Sequence, residues 1–210
     1  MDMSIRLEEP QDYRIVEELT REAFWNLHVP GCDEHLLAHL LRGCTAFVRE
    51  LDFVAETDGE IVGNIMYCRA KIAGEDGKEQ ETLTFGPVSV WPRLQGQGIG
   101  SALIRHSLKI AAQMGFTAVL IYGDPAYYTR FGFKPAKAFG IRTSDGRFHS
   151  ALQALELVPG SLTCASGCFF EGEAYSVDAS ELEAFDSSFP YKEKCITSSQ
   201  KRFLEMLNGD

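Results

Sequence analysis

Val88-Ser89-Val90-Trp91-Pro92-Arg93-Leu94-Gln95-Gly96-Gln97-Gly98-Ile99-Gly100-Ser101 is the stretch on which the reading of this chain turns. Its first residues are β-branched and apolar and read as a strand that ends at Pro92. A glycine-punctuated turn follows, and Ser101 to Met114 has the apolar spacing of an amphipathic helix. The first N–H groups of a helix have no intrahelical partner, and they lie at the positive end of the helix dipole. Such a turn seats a phosphate or pyrophosphate. Two common phosphate loops do not fit. A P-loop needs Gly-Lys-Ser/Thr after its spacer, and this turn contains no lysine. A dinucleotide loop needs Gly-x-Gly-x-x-Gly, whereas the glycines here alternate at 96, 98 and 100.

What does fit is Gln95-x-x-Gly98-x-Gly100, preceded by Val-x-Val-x-Pro and followed by a helix. A second segment, Gly123-Asp124-Pro125-Ala126-Tyr127-Tyr128-Thr129-Arg130-Phe131-Gly132-Phe133, follows the apolar run Ala118 to Tyr122 and contains Tyr128-x-x-x-Gly132-Phe133. In this order and at this separation, the two motifs resemble those of the GNAT superfamily of N-acetyltransferases. The Gly-Asp-Pro-x-Tyr-Tyr wording is especially similar to one bacterial group within it. The resemblance is firm over residues 85–135, extends over about 3–158, and does not cover 160–210.

The resemblance implies an α/β (α+β) acyl-CoA N-acyltransferase fold, with a mixed central sheet splayed to admit acetyl-CoA and flanked by helices. It implies that the pyrophosphate rests on the amides of Gln95, Gly96, Gln97, Gly98, Ile99, Gly100 and Ser101. The pantetheine arm would pair with the backbone of Val88 and Val90, as an added strand does. Arg93 and Arg105 are candidates for the outer phosphates. The glycines permit close approach or a left-handed φ. The implied activity is transfer of acetyl from acetyl-CoA to a primary amine of a small molecule or protein, by direct attack on the thioester. An acyl-CoA-binding sensor with little catalysis is the alternative, and a tyrosine beside an intact loop favours the enzyme.

Acetyl transfer has three needs: a deprotonated amine, a stabilised oxyanion and a proton for the departing sulfur. A tyrosine hydroxyl, of pKa about 10, suits the last. Tyr128 stands at the family's tyrosine position and is the expected general acid, with Tyr127 behind it. A strand amide near Val88 is the expected oxyanion donor. The base is less legible. Some relatives place a glutamate inside the strand that leads to the loop, whereas this chain has Thr82, Leu83 and Thr84 there and Glu81 only at its start. Asp124 is a candidate base, as are Glu22, Glu56 and His28; each reads first as a cap, a surface charge or a structural polar group, and a water chain is a further route.

Composition bounds the rest. The 210 residues are 45% hydrophobic, enough for one substantial core. A net charge of −10 argues against nonspecific nucleic-acid binding. No apolar run reaches bilayer length, and the polar start, Met1 to Pro10, carries no secretory signal. The six cysteines are scattered; Cys164-x-x-x-Cys168 lacks a second ligand pair, so no metal is expected and free thiols in the cytoplasm are. A homodimer is the default assembly only because it is the commonest.

Along the chain, strands are expected at Met3–Glu8, Phe47–Glu56, Glu60–Ala73, Thr82–Val90, Ala118–Tyr122, Leu152–Val158 and Cys168–Tyr175. Helices are expected at Asp12–Trp25, Asp33–Leu41 (capped by Asp33), Ser101–Met114, from Pro125, at Ser180–Phe185 and at Ser198–Leu207. Asp58-Gly59 signals a hairpin, and Phe139–Phe148 reads as loop. Pro159-Gly160 divides an acetyltransferase domain, 1–158, from a C-terminal extension, 159–210, expected to pack on it, with shaping of the acceptor pocket or a dimer contact as the alternative.

Overall fold

In the computed structural model, which describes residues 3–172, 175 and 177–201, a long antiparallel meander carries the fold. The strands are β1 (Met3–Leu7), β2 (Phe53–Thr57), β3 (Glu60–Gly74), β4 (Glu79–Val90), β5 (Ala118–Tyr122), β6 (Lys134–Pro135), β7 (Ile141–Arg142), β8 (Leu152–Glu156) and β9 (Gly167–Phe170). The helices are α1 (Tyr13–Phe24), α2 (Glu34–Leu41), α3 (Ile99–Gln113), α4 (Pro125–Tyr128) and α5 (Ala179–Asp186). The sheet runs β1-β2-β3-β4-β5-β8-β6, and β9 pairs with the far end of β3 and with β7.

Strand alternation sorts the core onto two faces. Ile65 and Tyr67 of β3 and Val119 and Ile121 of β5 meet Leu103 and Ile104 of α3. Their neighbours turn the other way: Met66 and Cys68 pack on Ala38 and Leu41 of α2, and Ala70, Ile72, Ala118 and Leu120 on Phe169 and Leu152. Asp58 and Gly59 close the β2–β3 hairpin with φ of 53° and 80°, the left-handed pair that a type I′ turn requires.

Two irregularities in β4 open the sheet. Its register against β3 slips between Ile65↔Val88 and Tyr67↔Phe85, so Gly86-Pro87 bulges opposite Met66. On its other edge β4 meets β5 in parallel at Leu83↔Val119, the one paired position among the described residues. Beyond it β4 continues to Val90 while β5 ends at Tyr122, and the two strands part as a V.

Several expectations need correction. The strand expected from Phe47 starts only at Phe53. Val48 N–H donates to the Tyr67 carbonyl and Leu51 N–H to Val48, so a 3-10 turn over Arg49–Leu51 carries the buried Leu51 inward instead. Asp33 occupies the cap position of α2, but in helical conformation, and its side chain caps nothing. The strand expected over Cys168–Tyr175 is β9, ending at Phe170. Of the last expected helix, residues 198–201 are helical and the remainder lies outside the described residues.

The segment after Pro159 is built into the sheet through β9, where Gly167 lies so close to β3 that a Cβ would sit 2.2 Å from the Ala73 carbonyl oxygen. From α5 onward it runs against α1 and α2. Arg21 Nε donates to Asp186 at 2.7 Å, Trp25 Nε1 to the Glu193 carbonyl at 2.9 Å, and Lys192 pairs with Glu22 at 2.6 Å.

Candidate active site

The phosphate-seating turn forms as its glycines require. After Val90 a 3-10 turn over Pro92–Leu94 leads to Gln95, whose Nε2 donates back to the Val90 carbonyl at 3.1 Å. Gly98 is the N-cap of α3 with φ 90° and ψ −2°, and no side chain caps the helix. The first closing bond is Ala102 N–H to the Gly98 carbonyl at 2.9 Å, which leaves the amides of Ile99, Gly100 and Ser101 directed outward. A Cβ on Gly96 or Gly98 would meet nothing within 4 Å; their glycines serve the backbone, and the space beside them is open. Val88, Val90, Gln95, Gly96, Gly98, Ile99, Gly100 and Ser101 line one cleft of about 400 Å³ here. Gln97 turns back to the Arg93 carbonyl at 3.4 Å, and Arg93 reaches Glu60 at 3.4 Å and the Trp91 ring; neither lines the cleft. Arg105 lies over the Phe131 ring. The basic residue that does line it is Arg130, stacked 4.6 Å over the Tyr127 ring. Sequence reasoning passed over Arg130, two residues beyond the motif tyrosine.

A second, larger cleft of about 890 Å³ opens on the other side of the V. Val88, Tyr127 and Tyr128 line both clefts, so the two meet there. Tyr127 directs its hydroxyl at the start of α3, 3.5 Å from where a Cβ on Gly100 would stand. Tyr128 packs the other way, edge-on to Tyr127 at 5.0 Å between centroids and against Phe133 at 5.7 Å and Phe85 at 6.0 Å. Its ring lies across Gly123. Burial pushes its phenol well above the ordinary tyrosine value, with the neighbouring Tyr127 adding to it, so at neutral pH it holds its proton.

Asp124 lines the larger cleft and accepts Ala126 N–H at 2.8 Å, capping α4. His28 lines it too, 3.0 Å from Glu34. The other candidate bases are elsewhere: Glu22 pairs with Lys192, and Glu56 with Arg6 at 2.9 Å. Residues far along the chain complete the wall. Tyr175 Oη donates to the Gly86 carbonyl at 3.3 Å, on the β4 bulge, and Glu171 faces the same space. Burial raises the Glu171 carboxyl to about 7, a rise that the Thr84 hydroxyl moderates. No sequence signal marked either one. Among the described residues no group of three His, Cys, Asp or Glu side chains is placed to hold a metal ion, and no helix is long and apolar enough to cross a membrane.

A splayed mixed sheet, with a glycine-built helix start in the V and a tyrosine between two clefts, defines an acyltransferase of the GNAT class. Residues 49–135 match the acetyltransferase (GNAT) domain family. The uncharacterized N-acetyltransferase YhbS of Escherichia coli K12 is 31% identical over 166 residues, 79% of this chain and 93% of YhbS. The crystal structure of E. coli YhbS in complex with CoA superposes with a TM-score of 0.72 at 27% identity, over 82% of this chain and 91% of that one. A GNAT family acetyltransferase of Brucella melitensis in complex with acetyl-CoA gives 0.67 at 31% identity, over 83% and 99%. The chain belongs to the GNAT family of N-acetyltransferases.

Proposed function

We propose that this protein transfers acetyl from acetyl-CoA to the primary amine of a small molecule or protein, acting in the cytoplasm. The observation that carries the reading is the meeting of the two clefts at Val88 and Tyr128. The cleft under α3 has the outward amides of Ile99 to Ser101 for the pyrophosphate, Arg130 for an outer phosphate, and the free edge of β4 for the pantetheine arm. The larger cleft receives the amine. Two of the structural relatives were solved with CoA or acetyl-CoA, which supports the donor. Six free thiols support a reducing compartment.

The thioester carbonyl then lies beside Val88, whose amide stabilises the oxyanion in this reading as the amine attacks. The carbon–sulfur bond breaks, and Tyr128, kept protonated by burial, gives its proton to the leaving thiolate. Residues 1–158 form the transferase domain in this reading, and 159–210 an extension that closes the acceptor wall. The test is Tyr128→Phe in an assay of thioester consumption over a panel of amines. Acetyl-CoA affinity by calorimetry stays near wild type while turnover falls about 100-fold or more. Unchanged turnover removes Tyr128 as the acid, and acetyl-CoA binding without consumption by the wild type indicates a sensor.

A further inference from the structure

We infer that Glu171 is the general base of this transfer and the anionic seat of its acceptor, an ammonium on an apolar body that carries no carboxylate. The inference rests on reading the larger cleft as the acceptor site.

Phe24, Leu27 and Leu37 form one wall of that cleft and Tyr122 and Tyr175 another. Among the described residues the basic side chain that lines it is His28, which Glu34 already engages at 3.0 Å, and no lysine or arginine joins it; a carboxylate or phosphate on the acceptor is therefore poorly matched to these residues. The acidic groups of the cleft differ in what they already do. Glu34 meets His28 at 3.0 Å, and Asp124 caps α4. Among the described residues no cation acts on Glu171.

Among the described residues, the groups around Glu171 come from β3, β4, β5 and the segment at Tyr175, and none is a cation. Thr84 of β4 offers a hydroxyl. Cys68 of β3, Tyr122 at the end of β5 and Tyr175 have their ionisations pushed upward by burial first, and the Glu171 charge adds to each. A carboxylate taken out of water without a counter-ion is costly, and a cationic ligand relieves that cost. Its carboxyl, held near 7 by burial, lies where a base working at neutral pH is most effective.

Proton bookkeeping gives it a task. An ammonium carries three protons on nitrogen and the product amide one. Glu171 takes the first, leaving a neutral amine whose lone pair forms the new carbon–nitrogen bond. The thioester carbon–sulfur bond breaks with its electron pair on sulfur. The thiolate takes a proton from Tyr128, which is restored by the second proton lost from nitrogen. The net products are amide, coenzyme A thiol and one proton, which Glu171 returns to solvent.

The test uses 2-phenylethylamine as acceptor probe and follows kcat/KM between about pH 5.5 and 9. In wild type kcat/KM rises through an acid limb near pH 7, as Glu171 ionises. Glu171→Gln loses about 100-fold and that limb, its residual rate climbing with the amine's own neutral fraction; Glu171→Asp keeps the limb with a smaller loss. Acetyl-CoA affinity of Glu171→Gln, by calorimetry, stays within about twofold and reports an intact fold. Phenylalanine, the same body with a carboxylate, is used about tenfold less well or worse. A wild-type enzyme that acetylates phenylalanine equally well, or neither probe, overturns the acceptor class. A Glu171→Gln enzyme with the wild-type limb and rate overturns the base. Failure of the wild type to bind acetyl-CoA would instead overturn the reading of the clefts on which both depend.

Discussion

Tyr128 owes its position to a residue with no side chain. A Cβ built on Gly123 would stand 2.2 Å from Tyr128 Cε2 and 2.6 Å from its Cδ2. The ring has no room to retreat, because Phe85, Phe133, Phe131 and Tyr127 hold it at centroid distances of 5.0–6.3 Å. Gly123 therefore works as a positioning residue: its missing Cβ sets where the hydroxyl of its neighbour lies. Its backbone is not left-handed, so alanine there is conformationally allowed and reduces the entropy of the unfolded chain. Gly123→Ala is expected to melt cooperatively but several degrees below wild type, because the ring must be forced aside, and to keep normal acetyl-CoA affinity while kcat falls about tenfold or more from a displaced acid. Steady-state kinetics beside a thermal melt checks this; a normal kcat would show that the ring tolerates displacement. The neighbouring chemistry also contains a constellation that geometry alone would misread. Cys32 Sγ lies 3.4 Å from His35 Nδ1, and His35 Nε2 3.1 Å from Asp186. All the same, burial raises the thiol far above its usual range and lowers the imidazole. Neither ion forms at neutral pH, so the trio is structural rather than nucleophilic.

The strand, turn and helix from Val88 to Gln113 were legible because their instructions are local. Apolar alternation, a proline stop, glycines at left-handed positions and a helical period all lie within one short stretch. Asp124-Pro125 was legible for the same reason, as a cap and an N1 proline for α4. Locality also explains the failures. The apolar run from Phe47 reads as the start of a strand, yet after Val48 N–H meets the Tyr67 carbonyl the chain closes on itself, Leu51 N–H donating to the Val48 carbonyl. The cleft wall was illegible because it is made by a contact 89 residues apart, Tyr175 to Gly86, and no spacing rule reaches that far. At the start of α3 the two functions of glycine separate. A side chain on Gly98 costs about 1–2 kcal/mol for its left-handed φ, but meets no protein atom within 4 Å. Gly98→Val is therefore expected to lower the melting temperature by only a few degrees while reducing acetyl-CoA affinity more than about tenfold, by obstructing the phosphate seat. Calorimetry giving wild-type affinity would remove this turn from the donor site.

The segment beyond Pro159 is part of the protein's core as well as its cleft. Leu162 and Phe169 are fully buried with Ile72 and Leu120, and Phe189 is buried against His35 and Phe185 beneath Arg14. Removing one such side chain typically costs about 2–5 kcal/mol, against a whole-domain stability of about 5–15 kcal/mol. A chain ending at Pro159 is accordingly expected to lose its cooperative melt; an unchanged transition would mean that the extension merely rests on the fold. Another whole-molecule property is set at the opposite end, where β1, β2, β3 and α2 converge. Glu8 and Asp52 are 6% and 3% exposed, and Arg42 spends its guanidinium on Glu8, at 2.8 and 2.9 Å, and on Glu17 at 2.9 Å. Glu17 is also met by His39 at 2.9 Å and Arg14 at 3.9 Å, whereas the buried Glu8 and Asp52 share Arg42, and one cation does not balance both. Asp52, held at Oδ1 by Asn64 at 3.1 Å, is pushed far above the ordinary carboxyl range by burial and then by its hydrogen bond to Glu8. It keeps its proton when folded and loses it when unfolded, above about pH 4. From there upward the folded state binds more protons than the unfolded one, so stability falls with pH until Asp52 ionises in the fold. The contribution is complete below about pH 4 and is lost as pH rises through the folded value. Asn at this position offers an N–H in place of the carboxyl proton and does not titrate. Urea unfolding at pH 5, 6, 7 and 8 is therefore expected to show wild-type stability declining relative to Asp52→Asn by about 1 kcal/mol per pH unit. Parallel curves for the two proteins would mean that Asp52 is ionised in the native state and that Arg42 balances it together with Glu8.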